Sequence, residues 1–412
     1  MAISSLTCPP PVRRTTRTTH PDFESLDAAI KLYREGHHAQ SLARTFEHLF
    51  PDLDVPELSP ELAMEEFCFG QGSSRVSVSI EDGSLHVRVP LVRLAPQSLT
   101  TAALRFVLSR ISATGQLYQP RLRGEDIVLE FTDRITRLHP HKVREVLREM
   151  PVEADANDDW MVTEFECTPL GREPIEALTE DEYKRAQNIW TTHWLEVDEL
   201  VKVSQRSRSM FFLNEITAYA VHHIQHAVPL TGYWWSRISA AADTFNDSNC
   251  DPTTREAALT KCAKEMQAVS TESLRDSLGH ARYTISPHAD GTTKVLSVNL
   301  GSGDYLDMVM RLHNGGRYAE SALGLISTYN YLLARFSWSP EIETMLLEGL
   351  ARASGTPWRD AAAALLEHGE TIIAAVKLSD AEAASDGKAA SDGNDKAESD
   401  APPNSDAKKA NS

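Results

Sequence analysis

The sequence predicts an α+β protein: a small antiparallel sheet with flanking helices, joined to a mostly helical C-terminal domain. Three observations point there. Between residues 58 and 170, stretches of two-residue hydrophobic period alternate with stretches of helical period. From 175 to 377 the helical period dominates, opened by "TEDE" at 179–182 in the form of a capping box. Finally, "LDAAIKLYREGHHAQSLARTF", beginning at Leu26, recurs in outline as "LDMVMRLHNGGRYAESALGLI", beginning at Leu306.

The N-terminal residues 1–22 are basic and rich in Ser and Thr, with three consecutive prolines, and are expected to form a disordered arm. Residues 23–57 read as a helical hairpin. Leu26, Ala29, Ile30 and Tyr33 make one stripe, Gly36 makes the turn, and Leu42, Phe46 and Leu49 make the second stripe before Pro51. The later copy preserves Leu312, Gly316, Ala319 and Ser321 opposite Leu32, Gly36, Ala39 and Ser41. A small residue five positions after the glycine lets two helices approach closely. A single such unit cannot bury both of its faces, so each copy needs a neighbour. Because each adjoins β-rich sequence, both are expected to dock near sheet structure.

Next, a helix is expected around 61–67, and "FGQGSS" at Phe69 reads as a loop entering a β-hairpin. In that hairpin Val76, Val78 and Ile80 alternate, then Leu85, Val87 and Val89, with Asp82-Gly83 at the turn. Ser98 is placed to cap a following helix, and a second hairpin turns at Gly124. "LHPHKVREVLREMP" reads as one helix and "DANDDWMVTEFEC" as another.

Two resemblances arise from these residues. The order β-β-α-β-β-α, carried by "LHVRVPLVRL", "AALRFVLSRI", "LRGEDIVLEF" and "VEADANDDW" over about 58–167, resembles the type III secretion chaperone-like fold, including the YbjN-type proteins. That resemblance implies a non-catalytic protein-binding module and, since such units commonly pair, allows a homodimer. The spacing of Gly36, His38 and Ser41, repeated by Gly316, Tyr318 and Ser321, resembles the tetratricopeptide unit at 23–51 and 304–335.

The helical domain is assigned to 175–377. Trp190, Trp194, Val197 and Val201 recur at helical spacing, as a core stripe would. Residues 281–300 are expected to interrupt the helices with one β-hairpin that packs on, or extends, the first sheet. From 378 to 412 the chain holds no aromatic residue and is low in complexity, so a disordered acidic tail is expected.

Composition bounds the function. The net charge of −18 disfavours nucleic acid and anionic membranes as partners. Five widely spaced cysteines with no CxxC pair fit reduced thiols, and no apolar run is long enough to span a bilayer. The chain therefore reads as a cytoplasmic protein of bacterial type.

Two clusters carry the alternative of a metal- or nucleotide-dependent enzyme. On one helix Glu215, Tyr219, His222 and His226 share a face, and His222 with His226 could hold a metal, with Glu215 as a third ligand. The opposite stripe of Leu213, Ile216, Ala220, Ile224 and Ala227 makes the histidine row the expected solvated face. In "VLSVNLGSGDYLD", Gly301 and Gly303 suggest a strand entering a glycine-rich turn, but a third glycine is missing. No catalytic, cofactor-binding or metal residue is assigned on this basis. The expectation is a non-enzymatic adaptor or chaperone-like protein that holds a protein partner without a cofactor. A regulatory scaffold is the remaining alternative.

Overall fold

A computed structural model describes residues 3–14, 23–112, 116–301 and 303–397, with side chains described for all but 23–24 and 378–397. Its first layer runs α1 (Phe23–Arg34), α2 (His38–Leu49), β1 (Met64–Gly72), β2 (Ser74–Glu81), β3 (Ser84–Arg93), α3 (Thr100–Phe106), β4 (Gln119–Arg123), β5 (Asp126–Arg134) and α4 (Pro140–Phe165). Short strands β6 (Thr168–Pro169) and β7 (Glu176–Ala177) lead to α5 (Glu180–Ser207), α6 (Met210–Ala227), α7 (Gly232–Phe245), α8 (Pro252–Gln267) and α9 (Thr271–Asp276). Then come β8 (Gly279–His280), β9 (Arg282–Tyr283), β10 (Ala289–Asp290), α10 (Thr293–Leu296), α11 (Asp304–Asn314), α12 (Tyr318–Arg335), β11 (Phe336–Ser337), α13 (Pro340–Ala353) and α14 (Trp358–Ala397). The protein is thus an antiparallel sheet flanked by helices, followed by a mostly helical region.

The sheet order is β4-β5-β3-β2-β1-β9, with β6 pairing beside β3. Val76, Val78, Ile80, Leu85, Val87 and Val89 all point into the core, as their alternation requires. Asp82 and Gly83 both have positive φ, 49° and 68°, which is the backbone a tight two-residue hairpin demands. α4 lies across this face with Val143, Val146, Leu147, Met150 and Ala154 buried.

Several elements differ from the sequence reading. The expected helix at 61–67 is the start of strand β1, and "FGQG" belongs to the same strand. A register shift between Met64 and Phe67 breaks the strand's two-residue period and hides it. The cap of α3 is Leu99, while Ser98 Oγ accepts from the Ala95 amide and donates to the Glu166 carbonyl. The two helices expected between 138 and 167 are one continuous α4, with Pro151 inside it. The expected hairpin at 281–300 is two separate short strands and a helical turn; β9 does extend the main sheet through Gln71 and Gly72.

The N-terminal arm was expected to be disordered, yet residues 3–14 are built into the helical core. Leu6, Cys8 and Val12 are buried there. Backbone bonds tie the segment down: Gly355 N–H to Leu6 O at 2.7 Å, and Val12 N–H to Ala227 O at 2.8 Å. Thr7 N–H donates to Glu196 Oε1 at 2.8 Å, and Trp358 Nε1–H to Ile3 O at 3.0 Å. Residues 15–22 of the arm lie outside the described residues. At the other end, the backbone of α14 runs to Ala397, into the expected tail, and residues 398–412 lie outside the described residues.

Both helical hairpins form, with Gly36 at φ 85° and Gly316 at φ 76° in their turns. The first docks on the sheet layer through α4, and Tyr33 Oη donates to the Thr136 carbonyl at 3.3 Å. The second does not dock on the sheet. Its α12 is enclosed by α6, α13 and α14 inside the helical core.

Two hydrophobic cores result, one under the sheet and one among the helices. They are joined where α4 meets α7. Trp160 stacks between Phe106 and Tyr233, with ring centroids 6.3 and 5.8 Å apart. Arg172 bridges Asp158, at 3.1 Å, and Asp159. Gly232 at φ 68° sits so close to Asp159 that a Cβ there would lie 2.5 Å from its Oδ2.

Candidate functional site

The helical residues singled out by sequence are structural. The Thr179 capping box forms, and the Glu182 carboxylate is drawn down to about 2, first by the Thr179 amide and hydroxyl and then by Arg14 and His280. Trp190, Trp194, Val197 and Val201 are all buried. The expected solvated face of α6 is instead enclosed. Glu215, Tyr219, His223 and His226 are buried along with the apolar stripe. α5, α7, α8 and α12 pack around α6, which leaves Asn214 exposed and Ala218, Val221, His222 and Gln225 half-buried along one stripe.

Burial accounts for the electrostatics of this helix. It pushes the Glu215 carboxyl up to about 7, partly offset by Tyr305 and Ser327. It pushes the imidazoles down, His222 and His223 to about 4 and His226 to about 3, so all three are neutral at pH 7. Two of them have packing partners: His223 Nδ1 meets Asn330 Oδ1 at 3.1 Å and stacks on His193 at 5.0 Å, while His222 sits edge-on to Tyr331. Among the described residues no three His, Cys, Asp or Glu side chains are grouped to hold a metal ion. Gly301 ends a helical turn and Gly303 is the N-cap of α11, so no strand enters a glycine-rich turn there.

Two concavities among the described residues are large enough to consider. The first is an apolar groove of about 520 Å³ between α2, the 50–58 loop and the sheet. Phe46, Phe50, Leu53, Val55, Leu58 and Met64 line it. Phe50 joins it to an aromatic cluster, lying 4.8 Å from Phe69 and 5.4 Å from Phe67, ring centre to ring centre. Glu47, Asp54 and Glu57 stand exposed around its mouth. Leu42, Phe46 and Leu49 were read from sequence only as core.

The second is a larger cleft of about 860 Å³ between α4 and the helical half. Its chemistry is polar. Arg13, Arg335 and His288 line it, together with Arg148, Glu149, Glu153 and Asp155 of α4. Sequence reasoning missed this cleft entirely. Its residues come from the N-terminal segment, α4, α6, α12 and the 279–289 stretch, so no local spacing announces it.

The sheet also ends in an exposed edge. β4 is the terminal strand, and near it Leu108 and Leu122 are 69% and 52% exposed. Pro120, Arg121 and Arg123 on the same strand oppose further strand pairing. All five cysteines are free thiols, and no helix among the described residues is long and apolar enough to cross a membrane. No family model, curated protein or solved structure matches the chain.

Proposed function

We propose that the protein is a non-enzymatic adaptor, chaperone-like in its sheet domain, that holds a segment of another polypeptide in the groove beside α2. The groove is the observation that carries this reading: an open apolar trough on a chain of net charge −18. The acidic mouth of Glu47, Asp54 and Glu57 selects the occupant, an amphipathic segment whose apolar residues are flanked by Lys or Arg. The element order α-α-β-β-β-α-β-β-α of the first layer contains the β-β-α-β-β-α run on which the resemblance to type III secretion chaperone-like, YbjN-type proteins rests. Free cysteines support a reducing, cytoplasmic location.

The test is capture of the full chain with its partner, followed by mass measurement of the intact complex and protection mapping. The expected result is a complex with a second polypeptide, protected over a basic amphipathic segment. A Leu53→Asp/Leu58→Asp double variant, with an unchanged melting temperature, should release it. A chain that emerges alone, a partner that survives the double substitution, or a second copy of this chain as the sole partner would each overturn the proposal.

A further inference from the structure

The helical half holds the N-terminal segment as a receptor holds an extended peptide. Residues 3–14 form neither helix nor strand, and only Leu6, Cys8 and Val12 among them are buried. Most of the bonds come from the main chain. Val12 N–H and Arg13 N–H donate to the carbonyl of Ala227, the last residue of α6, at 2.8 and 3.4 Å. Further along, the Gly355 amide donates to Leu6 O at 2.7 Å, and the amide of Trp358, the first residue of α14, to Ser4 O at 3.2 Å. Thr7 N–H reaches Glu196 Oε1 at 2.8 Å, and Cys8 N–H reaches Ser354 Oγ at 2.9 Å. Tyr219 holds Glu196 in place for this, its hydroxyl donating to Oε2 at 2.9 Å.

The Ala227 carbonyl and the Trp358 amide are helix-end groups, which find no partner inside their own helices. Both helices are fixed independently of the segment, because α6 and α14 pack on α12. The segment itself suits a linear ligand. Pro9, Pro10 and Pro11 offer no amide to satisfy and keep the backbone extended, so little freedom is lost on docking. Leu6 and Val12 anchor it on either side of the prolines. Beyond Val12, Arg14 pairs with Glu176 at 2.8 Å and Glu182 at 3.3 Å, and Arg13 Nη1–H donates to the Gln225 carbonyl at 2.7 Å. Arg14 is half exposed, so these pairs set direction more than affinity. An ordinary core layer locks in through interdigitated side chains. Main-chain bonds to helix ends, spaced apolar anchors and a charged end are instead the elements of peptide recognition.

We propose that residues 3–14 are a displaceable strap in a peptide-binding groove formed by α5, α6 and the α13–α14 turn. The groove takes, in trans, an extended segment of the same pattern: two apolar anchors astride prolines, followed by arginine. Displacing the strap withdraws Arg13 and Arg14 from the interdomain cleft, whose wall they help to form. Occupancy of the groove is thereby coupled to the shape of the cleft. Nothing in this proposal depends on the groove beside α2.

The experiment titrates a fluorescent synthetic peptide of residues 1–14, under reducing conditions, into two full-length chains. One is the parent; the other is Leu6→Asp/Val12→Asp, whose own strap cannot dock. Saturable one-to-one binding to the variant is expected, with a rise in its melting temperature. Binding to the parent should be at least about tenfold weaker, because its tethered strap competes at high effective concentration. A peptide carrying Leu6→Asp should bind the variant at least about tenfold less well, the usual effect of failing to bury one leucine. Should the double variant not fold alone, peptide present during refolding should restore it, and Val12→Asp serves as a milder second variant. The proposal fails if neither variant binds the peptide by about 1 mM or recovers on refolding with it. It fails equally if parent and variant bind alike, or if the Leu6→Asp peptide binds as well as the unaltered one.

Discussion

The two helical hairpins share a sequence phrase and a turn, yet the protein uses them in opposite ways. In the first, α2 buries Ser41, Leu42, Thr45, Phe46 and Leu49 on one face against the sheet layer. Its other face, with Gln40, Arg44 and Glu47, is exposed. In the second, α12 is buried on every side from Ser321 to Asn330, because "LGLISTYNYLL" is apolar or small all round. Identical turn chemistry thus leads once to a surface layer with an open groove and once to the centre of a helical core. The turn residues decide where the chain reverses; the residues beyond them decide what encloses it.

The largest effect should come from truncating a large buried side chain on the second helix of each hairpin. Tyr329 is fully buried and donates its hydroxyl to the Leu365 carbonyl at 3.1 Å. Phe46 is also buried, but one side of it faces the groove. Tyr329→Ala should cost about 4 kcal/mol and Phe46→Ala about 2–3 kcal/mol, measured by urea unfolding. Equal losses would mean that the groove wall is packed as tightly as the helical core, contrary to the geometry.

The second hairpin also faces a buried acid that the first lacks. Glu215 on α6 contacts the α11–α12 pair through Tyr305 and Ser327, and burial raises its carboxyl from 4.5 to about 7. A carboxyl that stays protonated longer in the fold than in the unfolded chain contributes stability fully present below about 4.5. That stability is lost as pH rises through about 7. The neutral histidines of the same helix act with the opposite sign, losing stability as pH falls from 6.5 toward about 4. Only a difference measurement isolates Glu215. Between pH 4 and pH 8, Glu215→Gln should gain about 2–3 kcal/mol relative to the parent chain. A pH-independent difference would show that Glu215 is solvated in the fold.

Features set by a few adjacent residues were legible in the sequence: the turns at Gly36, Asp82-Gly83, Gly124 and Gly316, the Thr179 capping box and the tryptophan stripe. Features set by distant residues were not. The start of β1 was hidden by its bulge, and α4 was divided at Pro151 because a proline usually ends a helix. Residues 3–14 bury Leu6, Cys8 and Val12 with no period to reveal them. The α6 histidines were assigned to water because a stripe argument supposes that a helix has one dry side. The groove was missed because its apolar residues carry the same pattern as core, and the cleft because its residues are dispersed along the chain.

The two turn glycines offer a control on the comparison. Gly36 and Gly316 have positive φ and nothing within 4 Å of an added Cβ. Ala at either position meets only backbone strain, so Gly36→Ala and Gly316→Ala should each cost about 1 kcal/mol. Unequal costs in thermal unfolding would show that the surroundings reach into the turns after all.

The smallest effect separates the hairpins most cleanly. Ser41 Oγ donates to the Ala29 carbonyl at 2.8 Å, stitching α2 to α1. Its counterpart Ser321 is equally buried, but its Oγ has no hydrogen-bond partner among the described residues. The two serines answer the same need for a small side chain where helices cross, and only one of them also supplies a bond. Removing a bonded hydroxyl leaves an acceptor unsatisfied, whereas removing an unbonded one relieves a desolvated polar group. Ser41→Ala should therefore lose about 1 kcal/mol, and Ser321→Ala should be neutral or slightly stabilising, read as the shift in urea midpoint at constant slope. A loss at Ser321 equal to that at Ser41 would mean that the later serine bonds within the crossing as the earlier one does, and that the hairpins are equivalent at their contact point.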